Sequence, residues 1–391
     1  MASPSEDPGR LRVVVAGGGV AGLETVVALR GLVGHRVALT LVAPRDDFAI
    51  RAFEVLEPFG LGPVQRFALA ALAADLDVDF VRDAVVRVEE RVAGLASGDG
   101  LAFDALVLAI GASPYPAYEH GVCFDRAHDA DAVDELVADV RAGGARGVTV
   151  VVPPGCTWTL PAYELALTLA APDERAEVTL VTPEREPLEA FGAPGAELAR
   201  AELAASDVTL LENVRATVPR ATVVQLGSRA RVTCDRVVHL PLWRGPGCAG
   251  VPCDADGFIL VDDAFQVRGR DDVYAVGDAT SGALKQGGLA GQQADVVAER
   301  IASRVGAEHA PRPYRPVLRG LLRTPRGPRY LRAEPPGGAQ RAEVSESCLW
   351  WPPSKVAARW LTPCLAARGV GADGARSLRR LPTGGLSASR G

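Results

Sequence analysis

Lysine is almost missing from this 391-residue chain: only Lys285 and Lys355 stand among its 42 basic residues, the rest being arginine. A basic excess is missing too. With 48 acidic residues the formal net charge is −6, which excludes the basic footprint that nucleic acid requires of a partner. No apolar run reaches the roughly 18 residues of a membrane-spanning helix. The start, Met1 to Pro8, has neither the basic nor the apolar region of a secretory leader, so a cytoplasmic protein is expected. None of the seven cysteines falls in C-x-x-C spacing, which points to reduced thiols and no metal site. Cys248 and Cys253 are separated by four residues, a spacing read here as coincidental. Aromatic residues make up 5% of the chain, yet three of the five tryptophans crowd into Trp350, Trp351 and Trp360.

Glycine, by contrast, is placed with a pattern. Gly17-x-Gly19-x-x-Gly22 follows the apolar run Leu11 to Ala16 and opens a helix-like stretch from Ala21 to Leu32. In that context Gly17 allows a tight turn, Gly19 lets backbone approach a pyrophosphate, and Gly22 lets helix pack closely on strand. The helix N-terminus then offers its unpaired N–H groups to the anion. Two further apolar strands end alike, Leu106 to Ile110 in Gly111-Ala112-Ser113-Pro114 and Val273 to Val276 in Gly277-Asp278. The Asp278 carboxylate is a candidate acceptor for ribityl hydroxyls. Further elements are read as a parallel strand over Val37 to Val42, a helix over Val64 to Leu76, and a hairpin turn at Ser97 to Gly100. A second strand–helix–strand unit follows, with strands at Gly147 to Val152 and Val178 to Val181 and a helix at Ala162 to Ala171.

Together these residues resemble the two-dinucleotide-fold flavoproteins, the pyridine nucleotide–disulfide oxidoreductase superfamily, over about residues 11 to 305. Leu41 to Phe48 and Lys285-Gln286-Gly287-Gly288 are similar to their counterparts in the branch that holds type II NADH dehydrogenases and sulfide:quinone oxidoreductases. The resemblance implies an α/β fold of two Rossmann-like, three-layer dinucleotide-binding domains, the second inserted in the first, with a C-terminal extension. The expected boundaries are 10–112 and 261–310 for the FAD-binding domain, 113–260 for the NAD(P)-binding-like insertion, and 311–391 for a C-terminal interface and tail. It implies FAD, held by Gly17, Gly19, Gly22, Gly111, Gly277 and Asp278. Ala43 stands where an acid usually binds the adenosine ribose, leaving Arg45 and Asp46 as substitutes at that end.

Three residues are candidates for chemistry. Glu164 aligns with a carboxylate that the resemblance places near the flavin and links to proton movement toward quinone; a simple helix N-terminal acid is the alternative. Lys285, just before a helix expected at Leu289 to Arg304, would stabilise negative charge on the reduced flavin, the bland alternative being a surface lysine. Cys156 is either a redox thiol or a small packed residue, with Cys348 as a distant partner thiol. Its turn, Val152 to Pro161, has Pro153, Pro154 and Trp158 where NADH-using relatives have glycines, so NAD(P)H is a doubtful cosubstrate. The expected activity is an FAD-dependent oxidoreductase that passes two electrons from a donor to a quinone-like or other small acceptor. Three alternatives stay open: an NAD(P)H dehydrogenase with a degenerate nicotinamide site, a sulfide- or thiol-oxidising flavoprotein using Cys156, and a non-catalytic flavin-binding sensor or scaffold. At the C-terminus, Val356, Ala357 and Trp360 are read as one face of a short helix stopped by Pro363 and flanked by Lys355 and Arg359. This segment suits either peripheral contact with the inner face of the cell membrane or packing within the protein or a homodimer. Residues 369–391 are expected to be disordered.

Overall fold

Leu11–Ala16 is the central strand of the first sheet, and four of its six residues are buried because neighbours pair on both edges and helices cover the faces. All partners are parallel: Val37–Val42 on one side, then Asp79–Val81, and Ala105–Leu108 on the other, then Val273–Ala275. The last strand returns from far along the chain. A second parallel sheet takes Gly147–Val151 as its centre, flanked by Arg236–His239 and Val122–Cys123 on one side and by Glu177–Val181 and Thr209–Leu211 on the other. The architecture is two Rossmann-like parallel sheets with added elements. Where the chain passes between the sheets, Ser113–Tyr115 and Leu242–Arg244 pair antiparallel. This computed structural model describes residues 9–125, 129–171, 174, 176–282, 284–307, 310–334 and 341–368; the expectations for residues 1–8 and for the tail after 368 lie outside the described residues.

Several local readings need correction. The helix expected from Val64 begins only at Leu69 and ends at Asp75, because Arg66–Ala68 is drawn into an antiparallel pair with Asp47–Ala49 that brings Phe67 against Phe48. The inserted helix runs Leu160–Leu169, with Pro161 in its first turn, where a missing N–H costs nothing. The segment after Pro311 is more regular than its composition suggested. Leu318–Thr324 and Gly327–Ala333 form an antiparallel hairpin, joined by Glu343–Ser345. Glu202 of the inserted unit is nearly inaccessible and takes Arg326 at 3.0 Å and Arg329 at 2.8 Å, which pins the hairpin to that unit.

Residues 356–360 are not helical. The Ser354 hydroxyl accepts from the Val356 N–H, and Thr362 Oγ1 accepts from the Ala358 N–H and donates to the Val356 carbonyl, so side chains take the groups a helix would use. The helix starts later, at Leu361–Ala366, and Pro363 lies in its first turn rather than at its end. Trp360 faces inward. A Cβ on Gly31 of the first helix, Val20–Val33, would lie 2.3 Å from its ring.

Candidate functional site

The glycine fingerprint is built as its spacing requires. Gly17 has φ +117°, and a Cβ there would lie 2.1 Å from the Ala109 carbonyl oxygen. At Gly22 a Cβ would sit 1.8 Å from the Gly17 carbonyl oxygen, so helix and turn touch only because position 22 is glycine. Gly19 faces open space, and the first helix has no side-chain cap on its N-terminal N–H groups. The distant Gly277, at φ +72°, packs against this helix: its Cβ would lie 3.1 Å from that of Ala21. Gly111, at φ +73°, follows two residues after Ala109. Burial pushes the Asp278 carboxyl up, while Lys285 and Arg51 pull it down. An uncapped helix N-terminus under an open glycine, with a sequestered carboxylate nearby, fits the pyrophosphate and hydroxyls of FAD. Arg45 is exposed and makes no ion pair among the described residues, whereas Asp46 pairs with Arg82 at 2.8 Å.

The second sheet's corresponding turn is filled instead. The Cys156 N–H closes a turn onto the Pro153 carbonyl, and Trp158 packs edge-on against Phe191 with ring centres 6.0 Å apart. Beyond the next strand, Glu184 accepts from Tyr163 Oη at 2.6 Å, from Thr159 Oγ1 at 2.9 Å and from Thr182 Oγ1 at 2.9 Å. A carboxylate at the end of the second strand of such a unit commonly holds a ribose. Glu184 is already supplied with donors by its own chain.

Glu164 is buried in the inserted helix, and its partner comes from the far end of the sequence. Lys355 Nζ donates to Glu164 Oε2 at 2.5 Å, and both side chains are at most 5% exposed. The same ammonium donates to the Ala52 carbonyl at 3.2 Å and lies 5.7 Å from the centre of the Phe53 ring. Glu164 Oε1 accepts the Arg323 N–H of the C-terminal hairpin at 3.2 Å. Burial pulls the Lys355 pKa down, and Glu164 opposes this. Ala52 adjoins Arg51, whose charge pulls the Asp278 carboxyl down. Sequence reasoning placed Lys355 beside a short helix suited either to membrane contact or to packing, and missed this ion pair. The one available signal was its rarity, as one of two lysines in the chain.

The other two candidates stand apart from this pair. The Lys285 ammonium donates to the Thr280 carbonyl and lies 3.9 Å from the centre of the Phe258 ring, with its pKa lowered by burial. It precedes the closing helix, Gly287–Arg304, whose N-cap is supplied by the Gln286 side chain bonding the Leu289 N–H. The Cys156 thiol is pushed up to about 11 by burial and donates to the Trp158 carbonyl at 3.4 Å. All seven cysteines are free, Cys248 buried and Cys348 exposed. Among the described residues there is no metal-binding cluster, and no helix is long and apolar enough to cross a membrane.

Similarity to known proteins follows the same outline. The chain is 26% identical over 288 residues to ferroptosis suppressor protein 1 of Xenopus tropicalis, covering 68% of this chain and 74% of that protein. It is 25% identical over 346 residues to demethylphylloquinone reductase of Synechocystis, covering 79% and 83% respectively. Among solved structures, the sulfide:quinone oxidoreductase of Aquifex aeolicus superposes with a TM-score of 0.76 at 20% identity, over 86% of this chain and 87% of that one. The family model for pyridine nucleotide-disulphide oxidoreductases matches residues 11–294, and the chain belongs to that family of FAD-dependent oxidoreductases.

Proposed function

We propose that this protein passes two electrons from a donor other than a nicotinamide through FAD to a quinone-like acceptor. Bound FAD would be held at Gly17, Gly19, Gly22, Gly111, Gly277 and Asp278, and would supply the two-electron redox chemistry. The chain's own part is proton supply. Reducing a quinone to a quinol takes up two electrons and two protons, and the buried Glu164–Lys355 pair is the observation that carries this reading. A lysine whose hold on its proton is weakened by burial, beside a carboxylate that orients it, suits a proton donor that is recharged from solvent. Support for the acceptor comes from the quinone named for the Synechocystis relative and for the Aquifex structure. Support for a non-nicotinamide donor comes from the filled turn at Pro153 to Trp158 and from Glu184, whose acceptor sites are occupied by Tyr163, Thr159 and Thr182.

Anaerobic mixing of the FAD-loaded protein with NADH, NADPH and sulfide, followed in the flavin's visible band, tests the donor side. The expected result is that neither nicotinamide bleaches the flavin rapidly. Rapid bleaching by NADH would instead make the protein a nicotinamide dehydrogenase. Bleaching by sulfide that disappears in Cys156→Ser would put that thiol at the centre of the reaction. At the cell level we propose action on the cytoplasmic side, at or near the membrane that holds the acceptor.

A further inference from the structure

A second cleft has neither Glu164 nor Lys355 in its lining. An open cleft of about 630 Å³ runs between the closing helix, residues 312–319 and the C-terminal return at 350–362. Its helix wall begins at Gln292, and Asp295 is eight residues beyond Gly287, about 12 Å along the axis. Two carboxylates and four guanidiniums line it, and their pairing is unequal. Glu299 is taken by Arg312, whose Nε donates at 2.9 Å, and by Arg359 at 3.3 Å. Asp295 is drawn toward its protonated form by burial. Arg315 and Arg319 have no carboxylate partner among the described residues, and Arg319 Nε is shut from solvent without any hydrogen bond. Burial and the neighbouring Arg332 both disfavour the charge on Arg319.

A partly buried guanidinium with an unpaired Nε is costly unless an anion meets it. Planar guanidinium forks match phosphate and carboxylate oxygens in particular. The cleft also has an apolar wall. Trp350 is fixed, its Nε1 donating to the Ser354 carbonyl at 3.0 Å and its ring edge-on to Tyr330, while Trp351 is 88% exposed at the mouth. A large exposed indole beside unpaired arginines is an unfinished contact.

We infer that this cleft binds a ligand whose phosphate or carboxylate is held by Arg315 and Arg319 and whose planar or apolar body lies against Trp351. Isothermal titration calorimetry on the FAD-loaded full chain tests it with 1-naphthyl phosphate, inorganic phosphate and 1-naphthol. Naphthyl phosphate is expected to bind once per chain, with inorganic phosphate competing and naphthol at least about 10-fold weaker. Arg319→Gln should abolish most of the binding and Arg319→Lys recover part of it. Arg315 is exposed, so Arg315→Gln gives a variant whose folding is not at issue, and it should weaken binding about 10-fold. Equal binding of naphthol and its phosphate, undiminished binding in both glutamine variants, or no binding of naphthyl phosphate would each overturn the inference. Sedimentation with phosphatidylglycerol and phosphatidylcholine vesicles separates the two sources of such an anion. Retention on phosphatidylglycerol alone that is lost in Arg315→Gln assigns a lipid headgroup, and no retention with naphthyl phosphate bound assigns a soluble ligand.

Discussion

Gly19 and Gly22 lie three positions apart in one turn and should fail in different ways when substituted. A methyl at position 22 would collide with the Gly17 carbonyl at 1.8 Å, whereas one at position 19 meets nothing within 4 Å. Gly22→Ala is therefore expected to destabilise the fold by about 1–3 kcal/mol. Gly19→Val should leave the apoprotein's melting temperature nearly unchanged while stripping FAD from the purified protein. Thermal unfolding and the flavin-to-protein absorbance ratio measure both, and a Gly19→Val protein with full FAD would misplace the pyrophosphate. These glycines were legible in the sequence because their roles are set by neighbours a few positions away. Lys355 was not: its carboxylate partner stands 191 positions earlier, and nothing local marks the pairing. At Cys156 the local pattern left a redox thiol and a small packed residue open, and burial pushes the thiol up to about 11.

The terminal helix shows the same limit for a whole element. Its start is fixed by a carboxylate from the first helix, since Glu24 accepts the Trp360 N–H at 2.8 Å and the Leu361 N–H at 2.5 Å. The alternation of Trp, basic and apolar residues from 355 to 361 looked amphipathic, yet the local hydroxyls and this remote cap decided where the helix begins. Asp295 of the closing helix lies close enough to Glu24 for the two carboxyls to repel when both are charged, so a proton on one of them is favoured. Burial, with Asp295 adding repulsion, raises Glu24 from its ordinary 4.5 to about 8; burial raises Asp295 from 3.8 to about 6. Arg359, Arg312 and Glu299 are the other charges facing Asp295. Raised carboxyl pKa values mean that the folded chain holds protons the unfolded chain has released. The pair's contribution is therefore largest below the unfolded values and is lost as pH climbs from about 4 toward about 8. Asp295→Asn should flatten that decline and raise the melting temperature near the upper end by about 2–4 °C. Parallel stability-versus-pH curves for the two proteins would show that the carboxyls do not share a proton.

Across the molecule, the two parallel sheets and the return of Val273–Ala275 to the first sheet were legible, because continuous apolar runs ending in glycine recur at each strand. What the pattern did not convey is how the C-terminal segment closes over them. Its hairpin is held to the inserted unit through Glu202, its terminal helix to the first helix through Glu24, and Lys355 between them reaches Glu164 and Ala52. Under the proposed function, proton supply at the acceptor site would draw on residues from three distant parts of the chain. Removing Lys355 alone would leave Glu164 buried without its cation, at a cost of about 3–5 kcal/mol. The double variant Glu164→Gln/Lys355→Met avoids that penalty and isolates the chemistry. The most direct measurement is anaerobic stopped-flow reoxidation of the photoreduced, FAD-loaded protein by a soluble quinone, for the natural chain and this double variant. The proposed function predicts rapid reoxidation of the natural protein and a rate lowered about 100-fold in the double variant at unchanged FAD content. Equal rates in the two proteins, or a reduced flavin that the quinone does not reoxidise, would contradict it.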